Sequence, residues 1–133
     1  MKKGIVFGAF DLLHAGHVHL LRECKKRCDY LIVCIHADPS VERPEKNKPI
    51  ESILERTIKV ANCKPVNEVF VYETENDLKN LLNYCNPDVR FLGIDYAKVD
   101  PNNPPKITAE SLVPIEYIDS LPIHTSDIRR RIK

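Results

Sequence analysis

The chain has 133 residues, 43% of them hydrophobic and 29% charged, with a formal net charge of +1. That length suits one domain with a real core. The near balance of charge gives no electrostatic case for nucleic acid or an anionic membrane surface as partner. No long apolar run follows the opening Met1-Lys2-Lys3-Gly4, so neither a signal peptide nor a membrane span is expected. The five cysteines (24, 28, 34, 63 and 85) are odd in number and lie mostly within apolar segments, which favours reduced thiols in a cytoplasmic setting. Cys24 and Cys28 stand four apart, but no second ligand pair has metal-site spacing, so no protein-held metal is expected.

In chain order, Ile5-Val6-Phe7 reads as a short apolar strand that turns at Gly8. His14 and His17 follow, with Gly16 between them. A helical pattern then runs over 17–27, its wet side carrying Arg22, Glu23, Lys25 and Lys26. The unbroken apolar run 30–36 predicts a strand covered on both faces. Residues 41–49 are charged, hold two prolines and lack periodicity, so a mobile loop is expected there. Residues 51–62 predict a helix that buries Ile53, Leu54, Ile58 and Ala61 and turns Glu51, Glu55 and Lys59 outward. A strand at 69–72 and a helix at 76–85 with Leu78, Leu81, Leu82 and Cys85 inward come next, closed by Asn86-Pro87. Strands at 89–92 and 113–118, a Pro/Asn/Lys-rich loop at 97–111 and a basic terminal helix from 128 complete the chain. Alternating strands and helices predict a single α/β domain over 1–133. The expected architecture is a Rossmann-like three-layer α/β/α sandwich with a five-stranded, mostly parallel sheet.

Such folds bind ligands beyond the carboxyl ends of their strands, where strand order reverses. Four polar clusters fall at those ends: Gly8 to His17, His36 to Asp38, Gly93 to Tyr96, and His124 to Ser126. The first joins a strand to a helix start through small residues, an arrangement whose free N–H groups and helix dipole favour phosphate.

Gly8-Ala-Phe-Asp-Leu-Leu-His14-Ala-Gly-His17 resembles the signature of the HxGH nucleotidylyltransferase superfamily, in its small cytidylyltransferase-like branch. Further landmarks follow in order across the chain: Asp29-Tyr-Leu-Ile-Val, Asp38, Lys48-Pro49-Ile50 with Glu55-Arg56, Gly93-Ile94-Asp95-Tyr96, and Ile123-His124-Thr125-Ser126-Asp127-Ile128. The resemblance implies transfer of a nucleoside monophosphate from a nucleoside triphosphate to a phosphate monoester, with release of pyrophosphate. It gives His14, His17, Lys48 and Thr125 catalytic places. It sets Gly8, Ala9, Phe10, Asp11, Gly16, Lys46, Arg56, Lys64, Gly93, Asp95, Tyr96, His124 and Ser126 around the nucleotide. Asp38 and Lys79 are candidates for the acceptor. Mg²⁺ is implied as a companion of the triphosphate, and a homodimer as the assembly.

Donor and acceptor are expected from overall likeness, with CTP and glycerol 3-phosphate first. Two features depart from the glycerol-3-phosphate type: no cation stands in Asp119-Ser120-Leu121-Pro122, and Glu73 to Asp77 offers no lysine, Lys79 being the nearest. Gly93-Ile-Asp-Tyr96 and Asp38-Pro-Ser-Val equally resemble adenylyltransferases that use ATP with a sugar phosphate or flavin mononucleotide. A nucleotide-binding module without turnover is the alternative from another class. Plainer readings stand beside these. Asp11 can accept backbone N–H bonds in the turn, Arg56 can pair with a surface Glu, Thr125 and Ser126 can cap a helix, and His19 and His36 can be ordinary residues at the core's edge.

Overall fold

In the computed structural model the chain folds as β1 (Lys3–Gly8), α1 (Ala15–Lys26), β2 (Tyr30–His36), α2 (Ile53–Ala61), β3 (Glu68–Tyr72), α3 (Glu75–Cys85), β4 (Val89–Gly93) and β5 (Ile115–Ile118). The structure describes residues 1–93 and 113–119, with 128, 130 and 131. The strands form one sheet in the order β3-β2-β1-β4-β5. All four pairings are parallel, so the sheet is wholly rather than mostly parallel. The chain steps outward from β1 to β3 and then returns to place β4 on β1's other side. The reversal point therefore lies between β1 and β4.

Strand alternation sends side chains to two cores. Val6, Leu31, Val33, Ile35 and Phe91 meet Leu21 and Cys24 of α1 and Val60 of α2. Ile5, Ile32, Cys34 and Tyr72 meet Leu78, Leu82 and Cys85 of α3 on the other face. Gly4 is required by space: a Cβ there would strike the Phe91 ring. No described helix is long and apolar enough to cross a membrane. The five cysteines are free thiols, and burial raises the pKa of each, that of Cys24 to about 12.

The amino-terminal edge of the sheet is tied by side chains to backbone. Asp29 accepts the Lys2 N–H and Asp88 the Lys3 N–H, both at 2.8 Å, while Asn67 Oδ1 accepts the Leu31 N–H at 2.9 Å.

Helix α2 departs from the sequence expectation. Leu54 is 66% and Ile58 55% exposed, whereas Arg56 and Val60 are buried. Of the expected apolar face only Ile53 packs against the core, and Leu54, Ile58 and Ala61 turn outward because the inward face is organised around an arginine. The loop at 41–49 is also more fastened than its composition suggests. Arg43 pairs with Glu75 at 3.1 Å, and Glu42 accepts the Glu75 N–H at the start of α3.

Candidate active site

Helices α1, α2 and α3 begin at the carboxyl edge of the sheet, each with a capping box. In α2 and α3 the caps are Ser52 with Glu55 and Thr74 with Asp77. In α1 they are the two histidines. His14 Nδ1 accepts the Gly16 N–H at 3.0 Å, and His17 Nδ1 accepts the His14 N–H at 3.2 Å. A backbone N–H can only donate, so each neutral ring carries its hydrogen on Nε2. The rings lie 4.0 Å apart, centroid to centroid, tilted by 31°. Phe10 packs 5.5 Å from His17. Burial, reinforced by the neighbouring His14, lowers the His17 pKa to about 4, against a smaller opposing pull from Asp11. His17 is therefore a neutral donor near pH 7.

The turn before the histidines is strained. Phe10 (φ 52°) and Leu12 (φ 50°) both occupy the left-handed region, which costs a side chain on the order of 1 kcal/mol or more each. Gly8 suits the same turn, since a Cβ there would lie 3.1 Å from the Phe10 ring. A reciprocal clamp holds the turn. The Asp11 carboxylate, 5% exposed, accepts the Ile50 and Glu51 N–H groups at 2.9 Å each, and Glu51 returns its Oε1 to the Leu12 N–H at 2.7 Å. Asp11 thus takes the structural part in this geometry.

Arg56 lies beneath the edge, 2% exposed, and its guanidinium serves backbone rather than a surface partner or an open cleft. Nη1 donates to the Ala9 and His36 carbonyls at 3.1 and 2.7 Å, and Nη2 to Ala37 at 2.6 Å. Nε reaches the carbonyls of Glu51 and Ser52. Burial lowers its pKa, while Asp11, Glu51 and Asp38 favour the charged form. In this geometry Arg56 fixes the ends of β1 and β2 from below.

The remaining expected residues divide by place. Gly8, Ala9, Phe10, Asp11, His14, Gly16 and His17 gather at the end of β1, and Gly93 ends β4 beside it. Asp38 follows β2. Its Oδ1 accepts the Ser40 hydroxyl and N–H at 2.6 and 2.9 Å, and these bonds, with the charges of Lys48 and Arg56, hold its carboxyl below the usual range. Lys46 and Lys48 are exposed on the loop after it. Lys79 is exposed on α3. Lys64 follows the C-terminus of α2 and lines a crevice that runs along α1 from Val18 through Arg22 to Lys25 and Lys26. A nine-residue helix running antiparallel to the strands carries the chain about 13 Å down. Asp95, Tyr96, His124, Thr125 and Ser126 lie outside the described residues. Among the described residues no group of three His, Cys, Asp or Glu side chains could hold a metal ion.

Glu51 is the site residue that sequence reasoning misplaces. It stands just before the Ser52 cap, outside the helix, where helical periodicity no longer says which way a side chain turns.

The chain is similar to known proteins in sequence and fold. A family model described as cytidylyltransferase-like matches residues 5–131. The chain is 39% identical over 94 residues to a bifunctional protein HldE of Acidiphilium cryptum, covering 70% of this chain and 19% of that protein. It is 36% identical over 88 residues to an FAD synthase of Thermococcus sibiricus, covering 66% of this chain and 60% of that one. The chain thus spans less than two thirds of these curated relatives. Among solved structures, a lipopolysaccharide core biosynthesis protein of Thermoplasma volcanium superposes with a TM-score of 0.69 at 24% identity, over 93% of this chain and 99% of that one, a likeness of fold. The chain belongs to the cytidylyltransferase-like family of the nucleotidylyltransferase superfamily.

Proposed function

We propose that the chain transfers a nucleoside monophosphate from a nucleoside triphosphate to a phosphate monoester. The observation that carries this reading is the histidine pair, two adjacent imidazoles whose Nδ1 atoms are spent on backbone and whose Nε2–H groups are donors. An oxygen of the acceptor phosphate attacks the α-phosphorus in line and forms a P–O bond. The bond to the α–β bridging oxygen breaks, and pyrophosphate departs with its electron pair. The attacking oxygen is already an anion, so no general base is needed. The demand is to hold two polyanions and to stabilise charge on the α-phosphoryl oxygens. N–H donors fixed by the fold do this without reorganising. Lys46 and Lys48 supply cations from the 41–49 loop, which closes over the phosphates. Thr125 and Ser126 hold the β- and γ-phosphates. Mg²⁺ would accompany the triphosphate as part of the substrate and would offset charge on its oxygens.

Overall likeness puts CTP first as donor. The relatives named FAD synthase favour ATP, because their product carries an adenylyl group, and ATP is the donor proposed. A homodimer is part of the same proposal, supported by the exposed apolar stripe Ile50, Leu54 and Ile58, and sedimentation reads it directly. Pyrophosphate release with ATP and with CTP, each against a panel of phosphomonoesters, tests the function. Release with ATP supports it. Release with CTP alone overturns the donor choice, and nucleotide binding with no release from any pair overturns the reaction.

A further inference from the structure

Glu51 makes one more contact besides its clamp on the histidine turn. Its Oε1 accepts the Leu12 N–H at 2.7 Å, and its Oε2 meets the Lys59 ammonium at 2.5 Å. The Glu51 side chain is 9% exposed, whereas that of Lys59 is 46% exposed. Lys59 stands in the last turn of α2, where a cation ordinarily serves the helix's own carbonyl end. Here it reaches back along the helix, the direction in which helical side chains lean, to a carboxylate just ahead of the Ser52 cap. The Glu51 N–H donates to Asp11 Oδ1, so one residue grips two successive positions of the turn. Leu12 is one of the turn's left-handed residues, and His14 follows two positions later.

We propose that Glu51, held in place by Lys59, is a positioning residue for the histidine pair, acting through Leu12 without touching substrate. The inference rests on the nucleotidyl-transfer reading and adds two residues to its machinery. A left-handed leucine is uphill on its own, so Leu12 keeps φ 50° only while its surroundings over-determine it. The anchored N–H does so. With Oε2 ion-paired, the carboxylate cannot turn from Leu12 without also giving up Lys59. His14 then enters α1 with its Nδ1 on the Gly16 N–H and its own N–H on His17 Nδ1. Those two bonds set both tautomers. Release of Leu12 lets His14 leave its cap, and both Nε2–H donors lose their aim. Lys59 also balances the charge of a carboxylate set beside a turn that, on this reading, faces a triphosphate.

The test compares wild type with Glu51→Ala, with Glu51→Gln, whose amide oxygen still accepts the Leu12 N–H, and with Lys59→Met. Pyrophosphate release is measured with ATP and the panel's fastest phosphomonoester, and the imidazole nitrogens of His14 and His17 are followed by nitrogen NMR. Glu51→Ala is expected to lower kcat by roughly 10- to 100-fold with KM for ATP little changed, the mark of donors misplaced rather than missing. Its imidazole signals should leave the two fixed Nε2–H tautomers for exchange between tautomers. Glu51→Gln should recover most of the rate and the fixed signals, and Lys59→Met should lower kcat by roughly 2- to 5-fold. An unchanged kcat in folded Glu51→Ala overturns the assignment, as does Glu51→Gln as slow as Glu51→Ala. If Glu51→Ala does not fold, Lys59→Met decides, and a rate and signals equal to wild type overturn the proposal. The NMR arm needs no turnover: tautomers still fixed in Glu51→Ala refute the positioning role whatever reaction the site performs.

Discussion

The starts of α1 and α2 stand side by side on the carboxyl edge and use one local device for different ends. At α2, Ser52 and Glu55 satisfy each other's backbone N–H groups. At α1, two imidazoles do the same capping with one nitrogen each. A hydroxyl or carboxylate spent on a cap has finished its work. An imidazole so spent is locked in tautomer and orientation, and its far nitrogen becomes a positioned donor. On the proposed reaction, capping at α1 is part of the chemistry, whereas at α2 it serves stability.

Substitutions can break that comparison. The largest effect is expected from His14→Ala and His17→Ala. Turnover should fall by about 10²- to 10⁴-fold, while each variant loses only about 1 kcal/mol of stability as a lost cap. His14→Asn keeps a capping oxygen, so it should recover the stability in urea denaturation but not the rate. Recovery of both would mean the ring adds nothing beyond its cap. Arg56→Met removes the donors to five carbonyls and should destabilise by about 3 kcal/mol or more in the same assay.

Next in size is a pH effect. The folded-state pKa of His17, about 4, lies below its ordinary value of 6.5. The unfolded chain therefore takes up a proton that the fold refuses, and stability falls as pH drops from about 6.5 to about 4, by at most ~3 kcal/mol. Denaturation midpoints across that window should decline in wild type and decline less in His17→Asn. The smallest effect belongs to the ordinary caps. Ser52→Ala and Thr74→Ala should each cost about 1 kcal/mol with turnover unchanged.

Strand β2 was plain from seven residues without a break in apolar character, apart from the closing His36, and six of them are buried. Its neighbours followed from alternation with helices, which gave a mostly parallel sheet, whereas all four pairings are parallel. The histidine motif was legible because its residues are contiguous. Helix α2 was not, because periodicity weighs apolar side chains and cannot see carbonyls converging from β1, β2 and the loop on one guanidinium. The Asp11 and Glu51 clamp joins residues about forty positions apart, and no local pattern encodes such a pairing. Lys64 is matched by sequence position alone, and the length of α2 sets it beyond the far end of that helix.

The ties at the amino-terminal edge bear on how such a domain can be altered. Asp29, Asp88 and Asn67 fix the starting register of β1 and β2 from turns that take no part in the site. Parallel pairing then passes that register up to the carboxyl edge. None of these ties involves the 41–49 loop, so exchanging that loop for one of another length is expected to leave the strand alignment in place. New acceptor chemistry can be grafted onto this frame from above, provided the lower edge is left alone.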